Sequence, residues 1–324
     1  MRVDTADVFL IMAYIVVILV GITGNSLVIE VVRRKRSMHS TMNFLLVNLA
    51  ISDLLTLVFC LPGMILSYTK QPNGQMGNLL CKFITTHTIA GVGMIVSGLT
   101  LTLISVERYK ALVIPMETRF RLAKGNVLYA IIGIWIFAIA YVCPLFIFET
   151  YSEEYHRCIT SWPTSAAESN AYWIALAVII TSSFVIMFMC YFSIIRGLYF
   201  TNTICSSNAN AGMDNDGVFK RKIVQMLLIV TAVFLFCFFP FAIATAADIA
   251  QSSVFYKTSY FLVYCSSSLN PITYALNSTN YRTAFKEVLN EFRLCACLGQ
   301  SQDFRTVVQS KNSDRNRGVR TEQL

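Results

Sequence analysis

With 324 residues, 55% of them hydrophobic and only 14% charged, the chain lacks the roughly 25% of charged residues with which a soluble domain covers its surface. The net charge of +8 falls in clusters between apolar runs rather than along one face, which argues against a nucleic-acid-binding protein and for a membrane protein.

Seven stretches free of Lys and Arg follow in order: Val3–Val32, Ser37–Thr69, Phe83–Glu107, Gly125–His156, Cys158–Ile195, Ile223–Tyr256 and Thr258–Tyr281. Each exceeds the roughly 20 apolar residues that a helix needs to cross hydrocarbon. Lipid offers backbone groups no partners, so such runs must be helices, and a β-barrel would show short alternating segments instead. The expected fold is an all-α membrane protein, a seven-transmembrane helix bundle with a short amphipathic eighth helix. With the N-terminus outside, the inner loops and tail hold 21 Lys and Arg and the outer segments five, as the positive-inside rule requires. The chain is thus expected to divide into an outer segment 1–7, a bundle 8–280, an amphipathic helix 281–293 and a disordered cytoplasmic tail 294–324. The outer segment is too short to fold alone or to hold a large hormone, and no cleaved signal peptide is expected.

Polar residues inside spans carry the information, because a charge at mid-depth costs roughly 3 kcal/mol on insertion scales. In the second span Asp53 lies near the middle. Asn25 in the first, Ser97 in the third, and Ser266, Ser267 and Asn270 in the seventh lie at depths that let them meet it. Together they could cage a small cation or a water cluster, or simply hold helices together by hydrogen bonds. Cys81, ahead of the third span, and Cys158, in the second outer loop, both face an oxidising compartment, which makes a disulfide between them the expectation. The third span ends in Glu107-Arg108-Tyr109. Arg108 there is either a snorkelling cation with a neighbouring counter-ion or a switch that releases Glu107 for a partner. The inner loop Gly197–Phe219, rich in Ser, Asn, Asp and Gly, reads as a flexible linker. Two prolines interrupt late helices: Pro240, behind the aromatic run Phe234–Phe239, and Pro271, behind Asn270. Each frees a carbonyl and permits a kink, and Asn270 is the expected partner for groups freed in the seventh span. After the last span, Tyr281, Phe285, Val288, Leu289 and Phe292 recur at helical spacing, which suits a helix lying in the inner interface. Cys295 and Cys297 follow it as palmitoylation candidates, the alternative being two free thiols. The polar tail offers Ser301, Thr306, Ser310, Ser313 and Thr321 to kinases. No nucleophile, metal cluster or phosphate loop appears on a water-facing segment, so the chain is not expected to be an enzyme.

Taken together these residues resemble the rhodopsin-like family of G-protein-coupled receptors, across roughly Gly21 to Cys297. The matches are Gly24-Asn25, Leu49-Ala-x-x-Asp53, Glu107-Arg108-Tyr109, Trp135, Tyr191, Phe234-x-x-Cys237-x-x-Pro240 and Asn270-Pro271-x-x-Tyr274, one per span and in order, followed by Tyr281-Arg-x-x-Phe285. The resemblance implies a multi-pass protein of the plasma membrane with its N-terminus outside. It also implies an outer disulfide Cys81–Cys158 and an allosteric sodium pocket at Asp53, Ser97 and Asn270, to which the depth reading adds Ser266 and Ser267. No other cofactor is implied. Arg108, Tyr191 and Tyr274 would rearrange as the sixth helix swings outward, with Glu107, Tyr109, Phe234, Phe238, Pro240, Asn270 and Pro271 completing the switch. The partners it implies are an extracellular ligand, a heterotrimeric G protein, arrestin, receptor kinases and membrane lipid, with no nucleic acid.

The chain also departs from the family pattern. Phe238 stands where the family has Trp, Ser183 where the fifth helix has Pro, and Lys220 where some members pair an acid with Arg108. Cys81 stands 27 residues before Arg108, two more than is usual, which predicts a bulge or extra start at the top of the third helix. The seventh span contains no lysine, so a retinal Schiff base is excluded. Ala90 fills the site where amine receptors carry Asp, which disfavours a monoamine. Glu107-Arg-Tyr-Lys-Ala-Leu-Val-Ile-Pro115 resembles the inner loop of neuropeptide receptors. The outer surface sets Asp4, Asp7, Glu149, Glu153, Glu154, Glu168 and Asp248 against five basic residues. A short basic or amidated peptide fits that acidic vestibule. The expected pocket is His87, Ala90, Gly91, Phe238, Phe241, Asp248, Phe261 and Tyr264, with helix packing the equal alternative for His87 and the aromatics. A lipid or other small molecule is the alternative ligand. A non-coupling scavenger receptor and a seven-helix transporter are the alternative functions. The transporter reading suffers from the lack of internal repeats and from Asp53 being the one deeply placed carboxylate.

Overall fold

The computed structural model describes residues 5–68, 72–114, 122, 125–162, 166–197, 214–247 and 253–291. The first two spans are α1, Thr5–Arg34, and α2, Thr41–Tyr68, joined by a 3-10 turn over Arg36–Met38. The third span is compound: α3, Gly74–Leu80, runs through a π-helical turn at Cys81–Thr85 into α4, Thr88–Leu112. It is followed by α5, Val127–Phe148; strands β1, Glu149–Ser152, and β2, Arg157–Thr160; α6, Ala166–Ile195; α7, Asp214–Ala246; and α8, Val254–Asn277. A last helix, α9, covers 279–291. Seven long segments therefore lie side by side, with α4 packed on α2, α5 and α6, and with α1 and α7 both packed on α8.

Six of the segments are long and apolar enough to cross a membrane by composition alone. The seventh, α8, falls short because its polar residues turn inward: Ser266, Ser267, Ser268, Asn270 and Thr273 are buried, while Leu276 is 70% exposed. Large apolar side chains such as Phe9, Phe188 and Phe236 lie on the outside of the bundle. This is the inverse of a soluble protein, and it is the stable arrangement where the surroundings are lipid tails.

The register anomaly ahead of Arg108 has a structural form. The π-helical turn at Cys81–Thr85 absorbs extra residues, and the chain then breaks at His87, whose φ of 57° is left-handed. Cys81 is joined to Cys158 by a disulfide that ties this turn to β2. The two strands pair antiparallel, Glu149 opposite Thr160, through a tight turn in which His156 has φ 49°. Here the expectation needs correction, since the apolar stretch extending to His156 stops being helical at Phe148. The β-branched and aromatic residues Thr150, Tyr151, Ile159 and Thr160 favour the pleated alternative. Likewise α7 begins at Asp214, inside the stretch expected to be linker, and α8 begins at Val254, which brings Lys257 into its first turn. The retinal exclusion still holds, since that lysine lies at the helix end.

Helix α9 is amphipathic as expected, with Tyr281, Ala284, Phe285 and Val288 buried against the core. Leu289 is not part of that face and stays 47% exposed. The ion pairs Arg34–Glu291 (2.7 Å) and Lys35–Glu287 join α9 to the end of α1. Both are largely exposed, so they orient the helix more than they stabilise it.

Close approach of α2 and α4 depends on Gly93, where an added Cβ would lie 2.4 Å from Thr56 Oγ1 and 2.7 Å from the Ser52 carbonyl. Gly93→Ala should therefore cost about 1–3 kcal/mol through overpacking. Gly133→Ala, at a site where a Cβ meets nothing within 4 Å, should be neutral or slightly stabilising. Thermal melting of the purified chain in detergent checks the contrast, and equal melting temperatures for the two variants would contradict it.

Candidate functional site

Among the described residues the most deeply buried carboxylate is that of Asp53, 1% exposed. Its Oδ2 accepts from Asn270 Nδ2 at 2.7 Å and its Oδ1 from the Ser97 hydroxyl at 3.1 Å. The Ser267 hydroxyl lies near enough to act on it as well, and Ser52 lies 2.8 Å from Ser97. Of the residues expected around Asp53, the structure thus brings Ser97, Ser267 and Asn270 to it. Ser266 does not join them, because its hydroxyl donates to the Val263 carbonyl of its own helix.

Asn25 does something else. Proline at 271 removes the amide that would bond the carbonyl four residues earlier, that of Ser267. Asn25 Nδ2, from α1, donates to that carbonyl at 2.9 Å and to its own Gly21 carbonyl at 2.9 Å. Asn270, which the sequence put forward for this task, is engaged with Asp53 instead. The neighbouring Gly24 lets α1 reach Pro271, where an added Cβ would lie 2.7 Å from the proline ring. The Asn25 Oδ1 atom is buried with no hydrogen-bond partner among the described residues.

Around this centre a second polar link spans three helices. Trp135 Nε1 donates to Asn48 Oδ1 and Asn48 Nδ2 donates to Thr100 Oγ1, both at 2.8 Å.

At the end of the bundle bearing Arg108, Glu107 is 8% exposed and accepts from the Leu122 amide at 3.2 Å, while the Thr41 hydroxyl donates to the Leu122 carbonyl. Arg108 lies near enough to Tyr191 to act on it electrostatically, and Tyr191 Oη accepts from Thr231 on α7 at 3.2 Å. Tyr109 packs against the surrounding core. Tyr274 is buried and its ring meets Tyr281 at 5.4 Å, yet its hydroxyl has no hydrogen-bond partner among the described residues. The side chain of Lys220 lies outside the described residues. In the second half of α7, Phe238 packs on Phe234 at 4.3 Å, and Phe234 on Phe184 of α6 at 6.3 Å. Pro240 lies within α7 just beyond them. Ser183 spends its hydroxyl on the Ile179 carbonyl, a bond that proline in its place could not make.

At the disulfide end the expected pocket divides. His87 Nδ1 hydrogen-bonds Tyr264 Oη at 2.9 Å, and Phe261 and Tyr264 pack edge-on against Tyr14 of α1. Tyr264 and Ala90 are fully buried, so these residues mainly pack helices together. Gly91 borders open space, with nothing within 4 Å of an added Cβ. Phe241 meets Tyr260 at 5.2 Å. Asp248, Cys295 and Cys297 lie outside the described residues. Sequence reasoning missed Tyr256 and Tyr260, which extend the ring ladder to His87. It also counted Glu149 among vestibule acids without seeing that this residue is buried.

Comparison with known proteins agrees with this architecture. The family described as "7 transmembrane receptor (rhodopsin family)" matches residues 24–274. Similar proteins include the neuropeptide Y receptor type 2 of Homo sapiens, 32% identical over 308 residues, covering 89% of this chain and 77% of that one. The Mus musculus protein of the same name is 31% identical over 308 residues, with the same coverage. Galanin receptor type 1 of Rattus norvegicus is 32% identical over 291 residues, covering 85% of this chain and 80% of its own.

The pairing of Asn25 with Pro271 makes a double-mutant cycle informative. Asn25→Ala should destabilise the bundle by about 1–3 kcal/mol, because the Ser267 carbonyl is left unmet. In a Pro271→Ala background that carbonyl regains an amide from its own helix, and the same substitution should cost distinctly less. Identical losses in the two backgrounds would break the argument.

Proposed function

Because the chain belongs to the rhodopsin family of seven-transmembrane receptors, which are receptors rather than enzymes, we propose that it converts binding of an extracellular peptide into activation of a heterotrimeric G protein. The observation that carries this reading is the pair Arg108 and Tyr191 beside α7, with Tyr274 nearby holding a buried hydroxyl that no described residue satisfies. A buried hydroxyl without a partner costs free energy, and outward movement of α7 would give it new ones. Thr231–Tyr191 is the bond that such a movement breaks. In this reading the N-terminus and the disulfide lie outside and Arg108 faces the cytoplasm, as the distribution of Lys and Arg favours. Arrestin and receptor kinases would meet the same inner end and the tail. Palmitoylation of Cys295 and Cys297 would hold α9 at the lipid surface.

The peptide part of the proposal rests on the relatives, which are named for neuropeptide Y and galanin, and on the acidic outer segments. A short basic or amidated peptide is the ligand class these favour.

A sodium ion suits the centre of the bundle by the chemistry of its donors. Asp53, Ser97 and Ser267 supply a carboxylate and two hydroxyls, the hard oxygen ligands that such cations take. A bound cation would supply the positive charge that Asp53 lacks. These residues would hold it while Asn270 keeps α8 docked on α2.

Two outcomes are expected. Guanine-nucleotide exchange in membranes carrying the chain should rise above that of control membranes on addition of an activating amidated peptide. Arg108→Ala should reduce the rise at least tenfold with surface expression retained. A full response in that variant would contradict coupling through Arg108, and responses confined to lipids or nucleotides would end the peptide assignment. Separately, replacing choline chloride by sodium chloride at constant ionic strength should raise the melting temperature of the wild-type chain and leave that of Asp53→Asn unchanged.

A further inference from the structure

Glu149 is out of place by every electrostatic measure. It follows the last residue of α5 directly, and its amide bonds the Leu145 carbonyl, so the carboxylate stands at the negative end of a helix dipole. It is only 5% exposed, and no Lys or Arg among the described residues lies within ion-pair distance of it. Burial drives its carboxyl above the usual carboxylate range, opposed by the hydroxyls of Thr86 and Thr88. Those two are the donors that the described residues supply. Thr88 donates to Oε2 at 3.0 Å. The single proton of Thr86 must serve both the same Oε2 and the Cys81 carbonyl, which lies 2.6 Å away. Oε1 accepts from no described residue. An ionised carboxylate has about four acceptor sites, so this one is far from satisfied.

Its surroundings indicate what is missing. The Glu149 carboxylate lies near enough to Tyr172 of α6 and Tyr260 of α8 for its charge to act on both. Tyr260 belongs to the ladder of rings, 5.3 Å from His87, 5.2 Å from Phe241 and 5.9 Å from Tyr256. One turn along α4 from His87 lies Gly91, the position beside open space. A buried carboxylate whose charge reaches a ladder of aromatic rings is an arrangement that suits a cation, by charge and by the faces of the rings together. We propose that Glu149, with Thr86 and Thr88 orienting it, is the anchor for a cationic group of the ligand, a guanidinium or an ammonium. A planar guanidinium suits the site best, because it can bond Oε1 and Oε2 at once while its face lies on an aromatic ring.

This inference rests on the peptide-receptor reading and specifies its chemistry, yet the two can fail separately. The purified full-length chain in detergent is melted with millimolar L-arginine amide and, in parallel, with L-citrulline amide, which has the same shape without the side-chain charge. Arginine amide should raise the wild-type melting temperature by about 2–4 °C, and citrulline amide, which keeps only the α-ammonium, by distinctly less. Glu149→Gln, which keeps acceptors for both threonines, should lose the difference, and Glu149→Asp should retain part of it. No selectivity in the wild type, or equal selectivity in Glu149→Gln, overturns the anchor. If Glu149→Gln does not fold, labelling of the wild type with a carbodiimide and glycine methyl ester decides. Arginine amide should protect Glu149 at least several-fold in the mass spectrum, and absence of protection overturns the proposal. An exchange screen in which no peptide activates would end the peptide reading alone, because the arginine-amide result does not depend on coupling.

Discussion

Hydrocarbon supplies no hydrogen-bond partners, so the polar side chains of this bundle are driven to find them within the protein, on their own helix or on a neighbour. Asp53 sets the terms. A carboxylate that deep is tolerable only where hydroxyls and an amide converge on it, and Ser97, Ser267 and Asn270 do so from α4 and α8. Asn25 solves a related problem, the carbonyl orphaned by Pro271, and in doing so fastens α1 to α8. Trp135, Asn48 and Thr100 repeat the pattern between α5, α2 and α4. The helices are held in register by these bonds and by close approach at Gly24 and Gly93, since apolar contact alone does not distinguish a neighbouring helix from lipid.

What could be read from the sequence divides along the same line. Hydropathy found the spans because length and charge depletion are local properties, and it found α9 because Tyr281, Phe285 and Val288 share a face. It was weakest at α8, whose serines lower its hydropathy because they serve the interior. The 27-residue spacing from Cys81 to Arg108 announced an irregularity but not its form, a π-helical turn followed by a left-handed residue at His87. The hairpin was hidden because Gly125–His156 carries no basic residue to mark where the helix ends.

The site residues show the limit more clearly. That Asp53 would meet Ser97 and Asn270 was legible from depth. That Asn25 serves the backbone of α8, leaving Asn270 to Asp53, was not, because the choice depends on which helix faces which across 242 residues of chain. Lining a pocket and packing helices were equal readings for His87 and Tyr264, and the sequence could not reveal that they bond each other and pack against α1 and α2. Glu149 could be counted as a vestibule acid, but its burial follows from the packing of β1 on α3 and the π-helical turn and has no periodic signature.

The irregular top of the third span is what brings Glu149 into the bundle. An uninterrupted helix through Cys81–Thr88 would place Thr86 and Thr88 on different faces, since neighbours two apart do not share one. The π-helical turn and the left-handed His87 break that rule, so both hydroxyls reach one carboxylate oxygen, and the disulfide holds β2 against the same turn. The deviation in length and the buried acid are therefore one structural feature. It stands at the start of α4, whose other polar residues reach Asp53 through Ser97 and Leu122 through Glu107.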